Sequence, residues 1–235
     1  MTVPATRWHA VSDAAELAQR ACARILEAAR AAVAARGVFS IVLAGGGTPR
    51  ATYALLRTAR ADWARWQVWF GDERCLPADS PERNSCMARA TWLDHVPVPR
   101  QAVHVIDAEL GAAAAAAAYA RALHGADHFD CVLLGLGEDG HTASLFPGRD
   151  WGVGVHAPDV LAVHDAPKPP SERVSLSAAR LVRARAVWFL VAGPSKQAAV
   201  TAWRSGAVIP AAAIRPAAGV DVLVERRLLP SAYGA

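Results

Sequence analysis

Hydrophobic and polar residues alternate along the chain in blocks that predict strands and helices in turn. Ser12 and Asp13 precede an amphipathic segment that continues to Arg36, and Gly37 offers a left-handed stop, so we expect a helix there. Short apolar runs bounded by glycine predict buried strands. The predicted strands are 38–44, 67–70, 103–106, 130–134, 160–163, 186–191 and 220–224. About 37 residues precede the first of these strands, and we interpret them as one amphipathic helix.

Helices are predicted in most of the gaps between these strands. The segment 45–49, Gly-Gly-Gly-Thr-Pro, opens a second helix, because proline suits the first helical turn. The alanine run 112–118 is a strong helix former. The segment 165–170, Asp-Ala-Pro-Lys-Pro-Pro, cannot continue a helix or a strand and is predicted to be a loop. This alternation predicts one α/β domain over residues 1–235 with a mainly parallel sheet.

Composition narrows the class of protein. The chain is 53% hydrophobic and 20% charged, and no apolar run reaches the length of a membrane span, so we expect a globular protein and no membrane partner. The net charge is +4, with the arginines spread along the chain, which argues against a nucleic-acid partner. No secretory signal is visible at the N-terminus, so the expected compartment is the cytoplasm. The four cysteines lack Cys-x-x-Cys spacing, which favours free thiols over a zinc site or disulfides.

The segment 134–147 carries the clearest chemical signal. The apolar run 130–134 stops at glycines and is followed by Asp139 and His141. Ligands of open parallel sheets bind at the carboxyl ends of the strands, which is where these two side chains are expected. An isolated histidine is more often structural than catalytic, but this setting makes His141 a candidate for proton transfer.

A glycine-rich loop, Gly45, Gly46, Gly47 and Thr48, lies between a predicted strand and a helix start. Free backbone N–H groups and the helix dipole favour an anion at such a place, which predicts a phosphate cradle. A tight strand-to-helix turn is an equal alternative. The loop is neither a Walker sequence nor G-x-G-x-x-G, so nucleotide binding is not implied.

Charged residues follow another predicted strand at Asp72, Glu73 and Arg74. Arg74 either pairs with these acids or meets a substrate oxygen, since its planar guanidinium suits oxyanions. Asn84 and Arg89 lie in or beside the next helix. For these two residues, a capping or surface role is an equal alternative to a role in the site.

Two basic residues further along the chain are candidate anion ligands. Arg173 lies in Arg-Val-Ser-Leu-Ser, and Lys196 follows a glycine turn after a predicted strand. Lys196 is one of only two lysines, the other being Lys168, which favours a specific role. The sequence has no G-x-S-x-G segment and no metal-ligand spacing, so we expect general acid–base catalysis without a metal or a cofactor.

Four blocks, in order, resemble the 6-phosphogluconolactonase family, which is related to the glucosamine-6-phosphate deaminases. They are 43–49, 71–74 followed by Pro77 and Asn84, 135–147, and 173–175 followed by Gly193 and Lys196. The resemblance implies a modified Rossmann-like fold with helices on both faces of the sheet. It also implies hydrolysis of 6-phosphoglucono-1,5-lactone to 6-phosphogluconate in the oxidative pentose phosphate pathway.

The chain departs from its relatives at three informative positions. The family usually has serine where this chain has Gly47, which removes a hydroxyl from the expected phosphate site, and valine where it has Leu76. The related deaminases carry a glutamate where this chain has Phe146. Ring opening and amine departure need that additional proton-transfer group, so the sequence favours the lactonase. A sugar-phosphate sensor is the alternative from another class, but the predicted N-terminal helix is not a helix-turn-helix.

The resemblance and the residue chemistry together assign a role to each candidate residue. His141 is the general base and then the general acid, and Asp139 orients it or receives substrate hydroxyls. Asp72 holds the sugar or neighbouring side chains, and Arg74 meets the developing oxyanion or the phosphate. The phosphate is expected on Gly45, Gly46, Gly47, Thr48, Arg173 and Lys196. The expected partner is the sugar-phosphate lactone alone, in a monomer or small homo-oligomer.

Overall fold

The computed structural model describes residues 5–230, and its centre is a seven-stranded parallel sheet in the order β1-β10-β9-β6-β2-β3-β5. The strands of this sheet are β1 Thr6–Val11, β2 Phe39–Leu43, β3 Trp66–Phe70, β5 Val103–His104, β6 Phe129–Leu134, β9 Ala184–Val191 and β10 Val220–Glu225. A three-stranded antiparallel sheet, β4-β8-β7, is formed by β4 Asp72–Arg74, β7 Val160–Val163 and β8 Arg173–Leu176.

Helices flank the parallel sheet. They are α1 Ala14–Arg36, α2 Gly47–Leu56, α3 Asn84–Thr91, α4 Ala112–Ala122, α5 Ala178–Leu181, α6 Gln197–Arg204 and α7 Pro210–Ala213. The predicted fold class, a single-domain modified Rossmann-like α/β fold with a mainly parallel sheet, is confirmed. No helix within the described residues is long and apolar enough to cross a membrane.

The first long helix has the ends that the sequence predicts. The Asp13 carboxylate accepts a hydrogen bond from the N–H of Glu16 at 2.8 Å, and Gly37 closes the helix in the left-handed conformation with φ 76°. One face of α1 buries Leu17, Ala21 and Ile25 against the sheet. The helix is therefore fixed by its caps and by this apolar face.

The prediction that the N-terminal segment forms one helix is wrong, because a strand precedes the helix. Residues Thr6–Val11 form the edge strand β1, which pairs in parallel with β10. Only Val11 of this strand is buried. An edge strand with one buried residue has no continuous apolar run, so its sequence lacks the signal of a buried strand.

The antiparallel sheet and the edge strand β5 contain the other differences from the predicted elements. In the antiparallel sheet, the strand Asp72–Arg74 was not predicted. Residues Val160–Val163 form a strand as predicted, but it lies in this small sheet and pairs with Arg173–Leu176, a strand that was not predicted. The proline-rich loop 165–170 connects the two. The predicted strand 103–106 is reduced to Val103–His104.

Strand order places a crevice between β2 and β6. The chain proceeds from β2 to β3 on one side, whereas β6 and then β9 lie on the other side of β2. In open α/β sheets, ligands bind at the carboxyl ends of the strands where the order reverses in this way. The glycine loop after β2 and the segment that contains His141 after β6 both start at this point.

Candidate active site

A cavity of about 280 Å³ lies at the carboxyl ends of the central strands, between the parallel sheet and the antiparallel sheet. Its walls contain four cationic side chains, one carboxylate and one imidazole. The lining residues are Ala44, Gly45, Gly46, Asp72, Arg74, Asn84, Gly135, Leu136, Gly137, His141, Thr142, Ala143, Phe146, Lys168, Arg173 and Lys196. The excess of cations favours an anionic ligand.

The glycine loop brings the start of α2 to this cavity. Helix α2 begins at Gly47, so the N–H groups of its first turn have no acceptor within the helix. Gly46 precedes it with φ 98°, a conformation that favours glycine. Gly45 must also be glycine, because a β-carbon there would lie 2.0 Å from Oδ1 of Asn84. Gly47 and Thr48 do not line the cavity.

His141 is held by the residues just before it. Its Nδ1 lies 2.5 Å from Oδ1 of Asp139, and the same oxygen accepts a hydrogen bond from the backbone N–H of His141 at 3.1 Å. The imidazole packs closely over Gly137. Thr142, next in the chain, donates its hydroxyl to the Gly135 carbonyl at 2.9 Å and so fixes the turn.

The charge of Asp139 determines which nitrogen of His141 can act as a base. Burial raises the pKa of the Asp139 carboxyl, but the hydrogen bonds and the positive charge of His141 outweigh this effect, and the pKa is lowered overall. Asp139 is therefore ionised at neutral pH and only accepts hydrogen bonds. In the neutral imidazole the proton lies on Nδ1, and Nε2 keeps its lone pair.

Asp72 connects three parts of the cavity wall. Its Oδ2 accepts a hydrogen bond from the Ser144 hydroxyl at 2.6 Å, and its Oδ1 accepts one from Nδ2 of Asn84 at 3.1 Å. Asn84 also donates to the Asp72 backbone carbonyl at 2.9 Å. All three side chains are buried. Asp72 thus joins the segment that contains His141 to the start of α3.

The adjacent carboxylate, Glu73, has a structural role. It is fully buried and accepts hydrogen bonds from the backbone N–H groups of Asn84 at 2.7 Å and Ser85 at 2.8 Å. These are the first N–H groups of α3, which have no acceptor within the helix. The Arg83 guanidinium lies 3.6 Å from Glu73 and compensates its charge.

Arg74 reaches the cavity with part of its guanidinium already engaged. Its Nη1 donates to the Glu82 carbonyl, and the other groups of the guanidinium have no protein acceptor within the described residues. The side chain is thereby oriented while keeping donors for an oxyanion.

Arg173 lies deeper and holds a loop. Its Nε donates to the Pro170 carbonyl at 3.2 Å, and its Nη2 donates to the carbonyls of Lys168 at 3.0 Å and Pro169 at 3.1 Å. Burial lowers the pKa of this guanidinium, and the nearby charge of Asp72 opposes that effect. The guanidinium carbon lies 5.5 Å from the centre of the Phe146 ring.

The two lysines of the chain enter the cavity from different elements. Lys196 ends a short helical turn that follows β9. No residue in the range 5–230 forms a hydrogen bond or ion pair with its ammonium group. Lys168 comes from the proline-rich loop, and its Nζ lies 4.0 Å from Oε2 of Glu138.

The structure brings most of the predicted site residues together and adds others. His141, Asp72, Arg74, Arg173 and Lys196 line one cavity together with Gly45 and Gly46, and Asp139 lies behind His141. Sequence reasoning left a capping or surface role open for Asn84 and gave no site role to Lys168. Lys168 could have been found by the scarcity of lysine that singled out Lys196. Among residues 5–230, no group of three or more His, Cys, Asp or Glu side chains could hold a metal ion.

Comparison with known proteins agrees with this arrangement. Residues 12–223 match the family described as glucosamine-6-phosphate isomerases/6-phosphogluconolactonase. The chain is 41% identical over 209 residues to 6-phosphogluconolactonase of Streptomyces coelicolor, covering 81% of this chain and 80% of the relative. It is 39% identical over 224 residues to 6-phosphogluconolactonase of Mycobacterium leprae, covering 88% of each chain.

A solved structure extends the likeness to three dimensions. The crystal structure of 6-phosphogluconolactonase from Thermotoga maritima superposes with a TM-score of 0.86 at 27% sequence identity, covering 94% of this chain and 100% of that one. Together these matches confirm the resemblance that the four sequence blocks carry.

Proposed function

The chain belongs to the family of glucosamine-6-phosphate isomerases and 6-phosphogluconolactonases, and we propose that it hydrolyses 6-phosphoglucono-1,5-lactone to 6-phosphogluconate with His141 as general base and acid. The observation that carries this proposal is the 2.5 Å contact between His141 Nδ1 and Asp139 at the wall of a cavity with four cationic side chains. The relatives named above support the same substrate and the place of this reaction in the pentose phosphate pathway.

The reaction follows from the tautomer of His141. Its Nε2 takes a proton from a water molecule as the water oxygen bonds to C1 of the lactone, and Asp139 stabilises the resulting imidazolium. The carbonyl oxygen of the lactone becomes an oxyanion, for which Arg74 offers donors. The bond between C1 and the ring oxygen then breaks, and Nε2 returns its proton to that ring oxygen.

The phosphate of the substrate is proposed to bind at the cationic side of the cavity. The N–H groups at the start of α2, Arg173 and Lys196 would hold it, while Gly47 and Thr48 contribute through the helix N-terminus rather than through the cavity wall. Binding energy from this remote group would orient C1 toward His141. Asp72 would hold the sugar or, as its hydrogen bonds indicate, the residues around it.

Phe146 supports a lactonase over a deaminase. Its buried ring lies 4.8 Å from the imidazole of His141, measured between ring centres. A phenyl ring cannot transfer a proton, whereas opening of an amino-sugar ring and loss of its amine need a further acid–base group. A lactone is already an activated ester and needs one base and an oxyanion donor.

The remaining expectations complete the proposal. The reaction as written uses no metal and no cofactor, and its partner is the sugar-phosphate lactone. The cytoplasm is the proposed compartment, supported by four cysteines that are all unpaired. A monomer or a small homo-oligomer stays the proposed assembly.

Rates on three compounds test the proposal. Purified protein is assayed with 6-phosphogluconolactone, unphosphorylated gluconolactone and glucosamine 6-phosphate, each against a protein-free blank, because the lactones also hydrolyse spontaneously. We expect strong acceleration for the phosphorylated lactone, much weaker acceleration for the uncharged one, and no ammonia from the amino sugar. Ammonia release as fast as lactone hydrolysis would overturn the proposal.

A further inference from the structure

The loop that carries Lys168 is held in place at the cavity mouth. Arg173 donates three hydrogen bonds to the carbonyls of residues 168–170, and the N–H of Ala166 donates to the Ser171 carbonyl at 2.9 Å across the base of the loop. Three prolines in the segment 165–170 restrict its backbone further. The backbone of Lys168 is thus positioned before any ligand arrives.

The side chain of Lys168, in contrast, is weakly held. Its ammonium group is 4.0 Å from the Glu138 carboxylate, and the two side chains are 49% and 56% exposed. Ion pairs between groups this exposed contribute little to stability and exchange readily. No other carboxylate in the described part of the chain lies within 4.0 Å of the Lys168 ammonium.

Glu138 lies in the turn that also contains Asp139 and His141. Its negative charge at the cavity mouth opposes the approach of an anion, and Lys168 compensates that charge. A phosphate group carries more charge than a carboxylate and offers three acceptor oxygens. When a phosphate enters the cavity, the Lys168 ammonium would therefore leave the Glu138 carboxylate and bind the phosphate.

We propose that Lys168 contacts the phosphate of the substrate and that its pairing with Glu138 is the resting state from which it is released on binding. This inference rests on the proposed function and adds a residue that determines preference for phosphorylated lactones. Lys168 reaches the cavity on a fixed backbone with a weakly paired side chain, which is the geometry of a preformed anion contact.

Steady-state kinetics of K168A test the inference, with both lactones as substrates. Loss of a charged hydrogen bond corresponds to about a tenfold or larger loss of affinity. We expect KM for the phosphorylated lactone to rise by that factor with kcat nearly unchanged, and both constants for the unphosphorylated lactone to stay as in the wild type. R121A, which removes an exposed positive charge from α4 outside the cavity, serves as the matched control.

The variant E138Q tests the exchange. Without its carboxylate, Lys168 has no resting partner, so KM for the phosphorylated lactone should fall in E138Q. K168A made in E138Q should still raise KM, because no Glu138 charge is left there for Lys168 to compensate; an unchanged KM would show that Lys168 only neutralises Glu138 and would overturn the inference. If K168A keeps the wild-type ratio of kcat/KM for the two lactones, or loses activity equally on both, the inference is wrong while the lactonase proposal stands. Absence of any wild-type acceleration would instead refute the proposed function itself.

Discussion

Gly137 lies directly against the imidazole of His141: a β-carbon at position 137 would be 2.0 Å from Nδ1. Position 137 therefore determines where the imidazole can lie. We expect G137A to displace the ring and to reduce kcat strongly, whereas the midpoint of thermal unfolding should change little. The measurements are kcat and a thermal unfolding curve for each protein. G154A, where an added β-carbon meets nothing within 4 Å, is the control, and wild-type kcat in G137A would contradict the geometry.

Removal of His141 separates catalysis from binding. General acid–base groups contribute about 10²–10⁴-fold to rate, so H141A should lose kcat by that order. It should still bind 6-phosphogluconate, because the cations of the cavity remain. Calorimetric titration and an assay above the spontaneous rate check both parts. An undiminished rate in H141A would show that His141 is not the catalytic base.

Asp139 should matter through the tautomer of His141. In D139N the amide can donate to Nδ1, which would place the ring proton on Nε2 and remove the base. The wrong tautomer of a catalytic histidine costs up to about 10⁴-fold in kcat, so kcat should fall strongly while KM changes little. A rise in KM with kcat unchanged would instead indicate that Asp139 binds substrate.

The same carboxylate predicts a pH dependence of stability. Because the pKa of Asp139 is lowered in the folded protein, its stabilising effect is complete above the unfolded value of about 3.9 and is lost as pH falls through the folded value. The difference in free energy of unfolding between wild type and D139N should therefore be present at about pH 5 and should shrink as the pH falls below about 3.9 and through the lowered folded value. Urea unfolding across this range provides the values. A difference that persisted at the lowest pH would show that ionisation of Asp139 is not its cause.

Gly47 is a position where the usual serine of the family should be accommodated. A β-carbon there meets nothing within 4 Å, and its φ is not positive. We expect G47S to lower KM for the phosphorylated lactone a few-fold by adding a hydroxyl at the helix start, and to keep or slightly raise stability. Gly46 is the contrasting case, since its φ of 98° strains any other residue, so G46S should destabilise the protein. Equal behaviour of the two variants would refute this distinction.

Metal independence can be tested on the purified enzyme. Prolonged treatment with a chelator should leave the rate on the phosphorylated lactone unchanged, since in the proposed mechanism His141, Asp139 and Arg74 supply the base, its orientation and the oxyanion donor. If activity disappeared and then returned when a divalent ion was added, this mechanism would be wrong, and one in which a metal activates water would be favoured.

Much of the fold could be predicted because its signals are local. Buried parallel strands are continuous apolar runs. The ends of α1 are marked in the sequence by its N-cap residue Asp13 and its C-cap residue Gly37. The edge strand β1 and the strand Arg173–Leu176 lack such runs, since the first has one buried residue and the second has four residues that alternate polar and apolar. Their pairing depends on partners far away in the sequence, which local patterning does not contain.

The site residues also fall into those that local sequence predicts and those that depend on tertiary packing. His141 and the glycine loop follow apolar strands and are visible in the sequence. That Asp72 accepts hydrogen bonds from Ser144 and Asn84, and that Glu73 caps α3, depends on how separate segments pack together. Lys168 lies in a loop whose composition predicts only the absence of regular structure.

The stretch between β6 and β9 has an evolutionary consequence. This one stretch of the chain contributes the proposed base His141, the neighbouring Phe146, and both Lys168 and Arg173, while the parallel sheet beneath it supplies mainly backbone and glycine. If these residues have their proposed roles, substitutions in this stretch alter which sugar phosphate is accepted and which bond is broken, and the buried strands need not change with them. Divergence of reaction within the family is thereby separated from the inheritance of a stable scaffold.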